Sequence, residues 1–351
     1  MKNPFVTNGY VSPEYFCDRE KETAKIVSLL TNENNIALIS PRRLGKTDLL
    51  RHCFGQPEIK EHYHTFIIDI YATSSVRDFV NVFGKAVLDE LRPKGKSVWG
   101  TFLNVLASLR SEITFDMNGQ PTWGIGLGAI TNPSATLDEI FSYLNNAGKP
   151  CLIAIDEFQQ ITKYADDPNI EAALRTHIQR CSNAHFVFSG SHRHLMGAMF
   201  TSPARPFYQS VTLINLPPIS VDKYAEFCLR HFERASKHLD TLVVTELYER
   251  FNGITSYMQK VMNILFSMTG TGEICIPSMI DTAINDLLDF SADTYDALLY
   301  QMPEKQRIVF MAIAAEGKAK AISSGDFVRK YKLQSASSVS SAVKGLSLIH
   351  I

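Results

Sequence analysis

Eight residues between an apolar segment and a helical segment have the types and spacing that bind phosphate groups. They are Ser40, Pro41, Arg42, Arg43, Leu44, Gly45, Lys46 and Thr47; the apolar run 36–39 precedes them and Asp48 follows. A tight turn after a strand presents backbone N–H groups to phosphate oxygens, and the N-terminus of the next helix adds a positive dipole end. The segment therefore predicts a binding site for ATP.

The polar residues of this loop have separate expected roles. Lys46 carries a mobile charge that can reach the β- and γ-phosphates, and the Thr47 hydroxyl can bind Mg²⁺. Gly45 lets the backbone approach phosphate without a Cβ clash. The usual motif begins with glycine where this chain has Ser40, but the Gly-Lys-Thr half that meets the phosphates is intact.

A second group of residues indicates hydrolysis as well as binding. The run 151–155 is continuously apolar, as in a buried parallel strand, and it ends in Asp156 and Glu157. Beside a phosphate loop, the first acid is expected to hold Mg²⁺ and the second to act as general base on the attacking water. The alternative is that the acidic pair caps the next helix.

The strand predicted at 185–189 ends in Ser189-Gly190-Ser191. If this strand lies between the loop strand and the acidic strand, Ser189 or Ser191 can sense the γ-phosphate. The alternative for Ser191 is a helix N-cap.

The composition allows a large core and excludes several classes of protein. The 351 residues are 45% hydrophobic and carry a formal net charge of −1, so no global field favours DNA or acidic membranes. The chain shows neither an apolar run that could span a bilayer nor a signal-peptide core, and its six cysteines form no C-x-x-C pair. These features predict a cytoplasmic protein with buried thiols and no membrane association.

Strands and helices alternate through the first part of the chain. Apolar runs predict further strands at 65–70 and 211–216, and the pattern predicts helices before and after the loop, at 76–91 and at 171–181. This alternation indicates an α/β fold with a doubly wound parallel sheet over residues 1–218. An insertion at about 110–130 reads as a β-hairpin that turns at Asn118-Gly119.

The rest of the chain reads as helical. Helices are predicted at 221–235, 240–251, 254–268, 277–287 and 292–300, which suggests a helical lid at 219–301. Three short helices in 302–345 match the helical part of a winged helix, a fold that binds either DNA or proteins. The last six residues, 346–351, match a one-frame translation of a sequencing adapter, so the natural protein is expected to continue past Gly345; the alternative is a chance apolar strand.

The motifs together resemble the archaeal-type ATPases of the STAND branch of P-loop NTPases, relatives of AAA+ proteins, in a form familiar from Bacteroidetes. The segments that carry the resemblance are 15–20, 40–47, 153–157, 188–193 and 205–210. The resemblance implies a five-stranded parallel sheet of order 5-1-4-3-2, a helical lid and a winged helix. It also implies that Arg19 and Glu22 lie near the adenine and that 253–259 close over the base, although relatives often have proline where Thr255 stands.

The same resemblance suggests Arg193 or Arg205 as an arginine sensor or finger, with a surface ion pair as the alternative for each. Arg42 and Arg43 are typical of the family and could equally form salt bridges. The leading functional hypothesis is a slow, Mg²⁺-dependent ATPase that works as a nucleotide-controlled switch on an unidentified protein partner. A DNA-associated ATPase, a non-hydrolysing nucleotide-binding adaptor and a homo-oligomer stay open.

Overall fold

The structure is a computed structural model that describes residues 2–91, 113–115, 121–123, 132–317 and 319–348. The chain divides into two compact units, residues 1–280 and residues 281–351. None of the helices described is long and apolar enough to cross a bilayer.

A five-stranded sheet is the centre of the first unit. Its strands are β1 (Ile36–Ile39), β2 (His64–Asp69), β5 (Cys151–Asp156), β6 (Ala184–Gly190) and β7 (Thr212–Asn215). They lie in the order β2-β5-β6-β1-β7, and every neighbouring pair is parallel. Counted as five strands from the β7 edge, this is the order 5-1-4-3-2, which confirms the expected fold and places β6 between β1 and β5.

Helices cover both faces of this sheet. Successive side chains of a strand point to opposite faces, and because the strands are apolar throughout their central part, both faces have to be buried. Ala37 and Ile39 of β1 join one buried cluster, whereas Ile36 and Leu38 join the other. The helices of the first unit are α1 (Glu20–Thr31), α2 (Lys46–Phe54), α3 (Pro57–Lys60), α4 (Val76–Glu90), α5 (Pro133–Asn145), α6 (Ile170–Arg180), α7 (Arg193–Thr201), α8 (Val221–Arg234), α9 (Thr241–Phe251) and α10 (Thr255–Met268). Short 3₁₀ helices lie at Pro13–Tyr15, Phe158–Lys163 and Pro277–Met279.

Three of these helices, α3, α5 and α7, were not predicted from the sequence. In α5, the Asn132 side chain caps the helix and proline follows at the first position, and five residues with helical spacing are buried. That signal was present in the sequence. Helix α7 begins after His192, which makes no side-chain cap, so the alternative of Ser191 as the N-cap is wrong.

The insertion contains the expected hairpin strands. β3 (Ile113–Phe115) pairs antiparallel with β4 (Pro121–Trp123), with Thr114 opposite Thr122. The predicted turn at Asn118-Gly119 lies outside the described residues. Two further short strands, β8 (His238–Leu239) and β9 (Ile274–Cys275), pair in parallel beside the lid helices.

The second unit is helical. It contains α11 (Ile280–Gln301), α12 (Glu304–Glu316), α13 (Gly325–Lys330) and α14 (Ala336–Leu348). The two helices predicted at 277–287 and 292–300 are instead one helix, since the residues between them include neither proline nor glycine. Helix α14 continues to Leu348, so the alternative of an apolar strand is wrong for 346–348. The last three helices pack around Val309, Val339 and Ala342.

The N-terminus of α4 offers a test of how local polar contacts stabilise the first unit. The Asp78 carboxylate accepts hydrogen bonds from the Ser74 hydroxyl at 2.7 Å and the Ser74 N–H at 2.9 Å, and these bonds lower the pKa of Asp78. Its contribution to stability is therefore full above its unfolded pKa and is lost as the pH falls through the lower folded pKa. We expect Asp78→Asn to lower the unfolding temperature by about 2 °C at neutral pH and to have little effect below that folded pKa. An equal loss at both pH values would contradict this assignment.

Candidate active site

The loop of residues 40–47 joins β1 to α2 in the geometry that a phosphate-binding loop requires. Gly45 is the N-cap of α2 and has φ +84°, a left-handed conformation that glycine adopts without strain. Arg43 is also left-handed, with φ +67°, whereas Ser40 is not among the residues with positive φ. Ser40 therefore occupies the first position of the motif without needing the conformational freedom of glycine.

Lys46 is the first residue of α2 and is 6% exposed. Its Nζ donates hydrogen bonds to the carbonyl oxygens of Ser40 at 3.1 Å and Pro41 at 3.3 Å. Burial lowers the pKa of this lysine, and the charges of Asp156 and Glu157 partly offset that effect. Among the described residues, this buried ammonium donates its hydrogen bonds to neutral carbonyls, which it can exchange for phosphate oxygens.

The structure brings the two predicted metal ligands together. Thr47 is the second residue of α2 and Asp156 is the last residue of β5, and the Thr47 hydroxyl donates a 2.6 Å hydrogen bond to Asp156 Oδ2. Hydroxyl and carboxylate oxygens are the ligands that Mg²⁺ prefers, usually together with water and substrate phosphates. Among the described residues, no group of three or more His, Cys, Asp and Glu could hold a metal alone. The pair fits a Mg²⁺ ion that arrives with a nucleotide.

Glu157 follows Asp156 and turns its carboxylate toward the end of β6. Glu157 Oε2 accepts hydrogen bonds from the Ser191 hydroxyl at 2.8 Å and from the Gln159 amide, and Oε1 lies 3.8 Å from Arg42 Nε. Burial alone would raise the pKa of Glu157, but these hydrogen bonds and the charges of Arg42 and Lys46 outweigh it and lower the pKa. Glu157 is the N-cap residue of the 3₁₀ helix Phe158–Lys163, and its side chain makes no capping hydrogen bond. The alternative that the acidic pair stabilises this helix by its charge stays open.

The two serines predicted at the end of β6 lie in different surroundings. Ser189 is fully buried, and its hydroxyl has no hydrogen-bond partner among the described residues. Ser191 is partly exposed and bonds to Glu157. The structure therefore places Ser191, not Ser189, beside the predicted base.

The adjacent arginines of the loop have different neighbours. Arg42 lies near Glu157, and its Nε is 3.4 Å from the Ser191 hydroxyl. Arg43 hydrogen-bonds to the Tyr257 hydroxyl, and its carbonyl accepts from Ser256 N–H at 3.2 Å. Since both partners of Arg43 belong to α10, this residue joins the loop to the predicted lid.

A cavity of about 470 Å³ lies beside the loop. The loop contributes its residues 42–47, together with Asp48, and Asp156 and Glu157 contribute the acidic wall. The N-terminal segment contributes nine residues, which are Val6, Thr7, Gly9, Tyr10, Val11, Tyr15, Phe16, Cys17 and Arg19. Ile219, Thr255, Ser256 and Gln259 complete the lining. The volume falls within the range of small-molecule sites.

The cavity walls agree with part of what the resemblance implied. Arg19 lines the cavity and is held by Glu22 at 2.8 Å and by the Pro217 carbonyl at 2.6 Å. Three residues of the predicted lid segment 253–259 also line it. Sequence reasoning missed most of the N-terminal contribution, because Tyr10 and Phe16 are placed by contacts with His52: a 3.0 Å hydrogen bond and a ring stack at 4.4 Å.

The two arginines suggested as sensor or finger are not among the residues that line this cavity. Arg193 is exposed at the start of α7. Arg205 forms an ion pair with Glu171 of α6, and the Arg205 charge partly offsets the raised pKa that burial imposes on Glu171. Within this chain, Arg205 therefore forms an ion pair, as the alternative prediction stated. Its role as an arginine finger stays a prediction.

Comparisons with known proteins agree with this geometry. Residues 16–261 match a family model described as "ATPase domain predominantly from Archaea". Residues 293–350 match a model described as "Probable winged helix domain". A search of curated proteins finds no match.

Solved structures of archaeal proteins have a similar fold. A Walker-type ATPase of Pyrococcus abyssi is 16% identical with a TM-score of 0.62, over 98% of this chain and 93% of that one. The ORC2 protein of Aeropyrum pernix, in ADPNP and ADP complexes, is 14% identical with a TM-score of 0.58, over 99% and 89%. The ORC1 protein of the same organism, in complex with DNA, is 14% identical with a TM-score of 0.57, over 97% and 85%.

Proposed function

Because this chain belongs to the family of ATPase domains found predominantly in Archaea, we propose that it is a Mg²⁺-dependent ATPase that works as a nucleotide-controlled switch of the STAND type. The observation that carries the proposal is the convergence of Lys46, Thr47, Asp156 and Glu157 at one edge of the sheet, with Thr47 and Asp156 in hydrogen-bond contact. Lys46 and Thr47 begin the helix that follows β1, whereas Asp156 and Glu157 lie at the end of β5, and β6 separates these two strands.

Each residue at this edge has a proposed task. The backbone of 42–47 and the Lys46 ammonium bind the phosphates, while Thr47 and Asp156 hold Mg²⁺. The bound ion would neutralise charge on the β- and γ-phosphate oxygens. Glu157 orients the attacking water and accepts its proton, for which the ionised state favoured by its lowered pKa is required. Arg19 and the N-terminal segment form the wall proposed for the adenine.

The contacts of Arg43 support the switch part of the proposal. The loop is bound to the N-terminus of α10 through the Arg43 carbonyl and side chain. A nucleotide that orders the loop would therefore stabilise one position of the lid, and hydrolysis would release it. We assign residues 1–218 to the ATPase domain, 219–301 to the lid and 302–345 to a winged helix. Helix α11 belongs to the lid in this assignment, although nearly all of it lies in the same compact unit as the winged helix.

The test of the proposed function is ATP hydrolysis by the purified protein with and without metal. We expect phosphate release in Mg²⁺ and its loss in EDTA, because neither Thr47 nor Asp156 can neutralise phosphate charge without the ion. Restoring excess Mg²⁺ should restore activity. Equal hydrolysis in EDTA would contradict the metal assignment, and no hydrolysis under any condition would support a non-hydrolysing adaptor.

The two serines at the end of β6 make separate predictions. Ser191→Ala removes a hydrogen bond to the Glu157 carboxylate, so we expect about a tenfold fall in kcat. Ser189→Ala removes a buried hydroxyl without a described partner, so its effect on kcat should be smaller. Ser142→Ala, on the exposed side of α5, is the matched control. A larger loss in Ser189→Ala would support the alternative that Ser189 senses the γ-phosphate.

A second candidate function is a DNA-associated ATPase. The winged-helix match at 293–350 favours it, as does the similarity of fold to an ORC1 protein in complex with DNA. Binding of duplex DNA that weakens linearly on a log–log plot against salt would support this function, because phosphate contacts release counterions. No duplex binding even at low salt would leave the protein-directed switch as the better proposal.

A further inference from the structure

Three arginines of the described chain line the cavity, and two of them are already committed to other groups. Arg19 is 3% exposed and is held by Glu22 and by the Pro217 carbonyl. Arg43 bonds to the lid, and its guanidinium lies 5.0 Å from the Tyr257 ring centroid. Arg42 is the remaining one, with a side chain 36% exposed.

The position of Arg42 is set by groups on the carboxyl edge of the sheet. Its Nε lies 3.8 Å from Glu157 Oε1 and 3.4 Å from the Ser191 hydroxyl, and its Cζ lies 4.9 Å from the centroid of the Tyr71 ring. The 3.8 Å ion pair is too long for a direct hydrogen bond, so Arg42 is held loosely there. A guanidinium has five donors, and within the part of the chain that the structure describes these three contacts leave most of them available.

Arg42 and Lys46 also place two positive charges on one short loop. Both side chains line the same cavity, so their like charges repel each other there. A polyanion between them would relieve that repulsion. The carboxylates of Asp156 and Glu157 do not cancel this positive charge when a nucleotide is bound. Asp156 is expected to bind the metal ion and Glu157 the attacking water.

We propose that Arg42 is a catalytic residue that acts in cis on the γ-phosphate of the bound nucleotide, in addition to Lys46. This inference rests on the proposed ATPase function and replaces neither the metal nor the general base. On binding, Arg42 exchanges its loose contact with Glu157 for phosphate oxygens, so that Glu157 is left to act on water. Tyr71 and Ser191 hold the guanidinium close to that position beforehand.

The proposed reaction is an attack of water on the γ-phosphate, in which each group has one role. The water oxygen forms a bond to the γ-phosphorus while the bond from that phosphorus to the β–γ bridging oxygen breaks. The electron pair of the broken bond leaves with ADP, and the proton of the water moves to the Glu157 carboxylate. Negative charge accumulates on the bridging and γ-phosphate oxygens, which is the charge that an arginine in cis stabilises.

The first test compares binding of two probes to the full chain by thermal unfolding. ADP with Mg²⁺ should stabilise wild type and Arg42→Ala alike. ADP with Mg²⁺ and aluminium fluoride, which mimics the transferring phosphoryl group, should add stabilisation in wild type but not in Arg42→Ala. Equal added stabilisation in both proteins would overturn the inference. Because ADP binding reports a folded site, a misfolded variant is recognised directly.

The second test measures turnover. We expect Arg42→Ala to lower kcat about 10³-fold, with a smaller loss for Arg42→Lys, which keeps the charge but not the planar fork. Arg180→Lys, at an exposed position on α6, is the control for an arginine replacement. An active wild type with an equally active Arg42→Ala would overturn this inference alone. A wild type without ATPase activity would overturn the proposed function and this inference together.

The third test separates action in cis from action on a neighbouring copy. Arg42→Ala keeps the ATP site of its own chain, whereas Lys46→Ala keeps Arg42 but is expected to lose ATP binding. If the arginine acted on another copy, mixing the two inactive variants would restore hydrolysis. If Arg42 acts on the nucleotide of its own chain, the mixture stays inactive at every protein concentration. Rescue of hydrolysis on mixing would overturn the inference.

Discussion

Replacing Lys46 by alanine is expected to abolish the thermal stabilisation that ATP confers on the protein. A ligand at 100 times its Kd stabilises the folded state by about 2.7 kcal/mol, and most of that should disappear when the loop loses its ammonium. The reason is geometric: Lys46 Nζ lies within hydrogen-bond distance of the carbonyls of Ser40 and Pro41, at the position in the loop where phosphate oxygens are expected.

The same substitution should change the nucleotide-free protein little. Lys46 is buried with a lowered pKa, so removing its charge also removes an unfavourable desolvation term that offsets the two lost hydrogen bonds. Lys60→Ala, an exposed lysine at the end of α3, is the matched control and should keep the ATP response of the wild type. Equal ATP-dependent shifts in wild type and Lys46→Ala would refute the assignment of the loop.

Glu157→Gln is expected to give the second large effect, a fall in kcat of about 10²–10⁴-fold with ATP binding retained. Glutamine has the same shape as the glutamate and can still contact Ser191 and Gln159, but it cannot accept a proton from water. The variant should therefore accumulate in its ATP-bound state. Nucleotide binding by thermal shift and single-turnover hydrolysis measure the two properties separately.

Glu58→Gln, at an exposed position in α3, is the control for this change. An ATPase rate unchanged by Glu157→Gln would eliminate Glu157 as the base. If both proteins hydrolysed ATP very slowly, the result would favour the adaptor hypothesis. The trapped variant also serves to identify the partner, since a protein that binds the ATP state should be captured by Glu157→Gln and not by Lys46→Ala.

The sequence by itself predicted the parts of this protein that depend on local pattern. The strands of the sheet are short apolar runs that end in turn-forming or acidic residues, and the loop has a spacing that few other structures require. Because parallel strands carry their functional residues at the same edge, Thr47 and Asp156 were expected together although 109 positions separate them, and the structure has them 2.6 Å apart. The resemblance to archaeal-type ATPases drawn from these motifs is confirmed, whereas the STAND branch and the Bacteroidetes form stay predictions.

Errors in the secondary structure have similarly local reasons. Helix α5 was not predicted, although Asn132 and the proline that follows it are local signals of a helix start. The single helix α11 was divided in two where its hydrophobic pattern becomes irregular. Neither error affected the site, since no predicted site residue lies on α5 or α11.

Only the tertiary structure decided which partner each polar side chain takes. Arg42 and Arg43 are adjacent and chemically identical, yet one lies beside Glu157 and the other joins the lid. Arg205 pairs with Glu171, and Ser191 rather than Ser189 bonds to Glu157. Residue types and spacing determine strands, loop and sheet edge, because these follow from backbone preferences and burial. The direction of a side chain follows from strand order and packing between distant segments, which no local pattern contains.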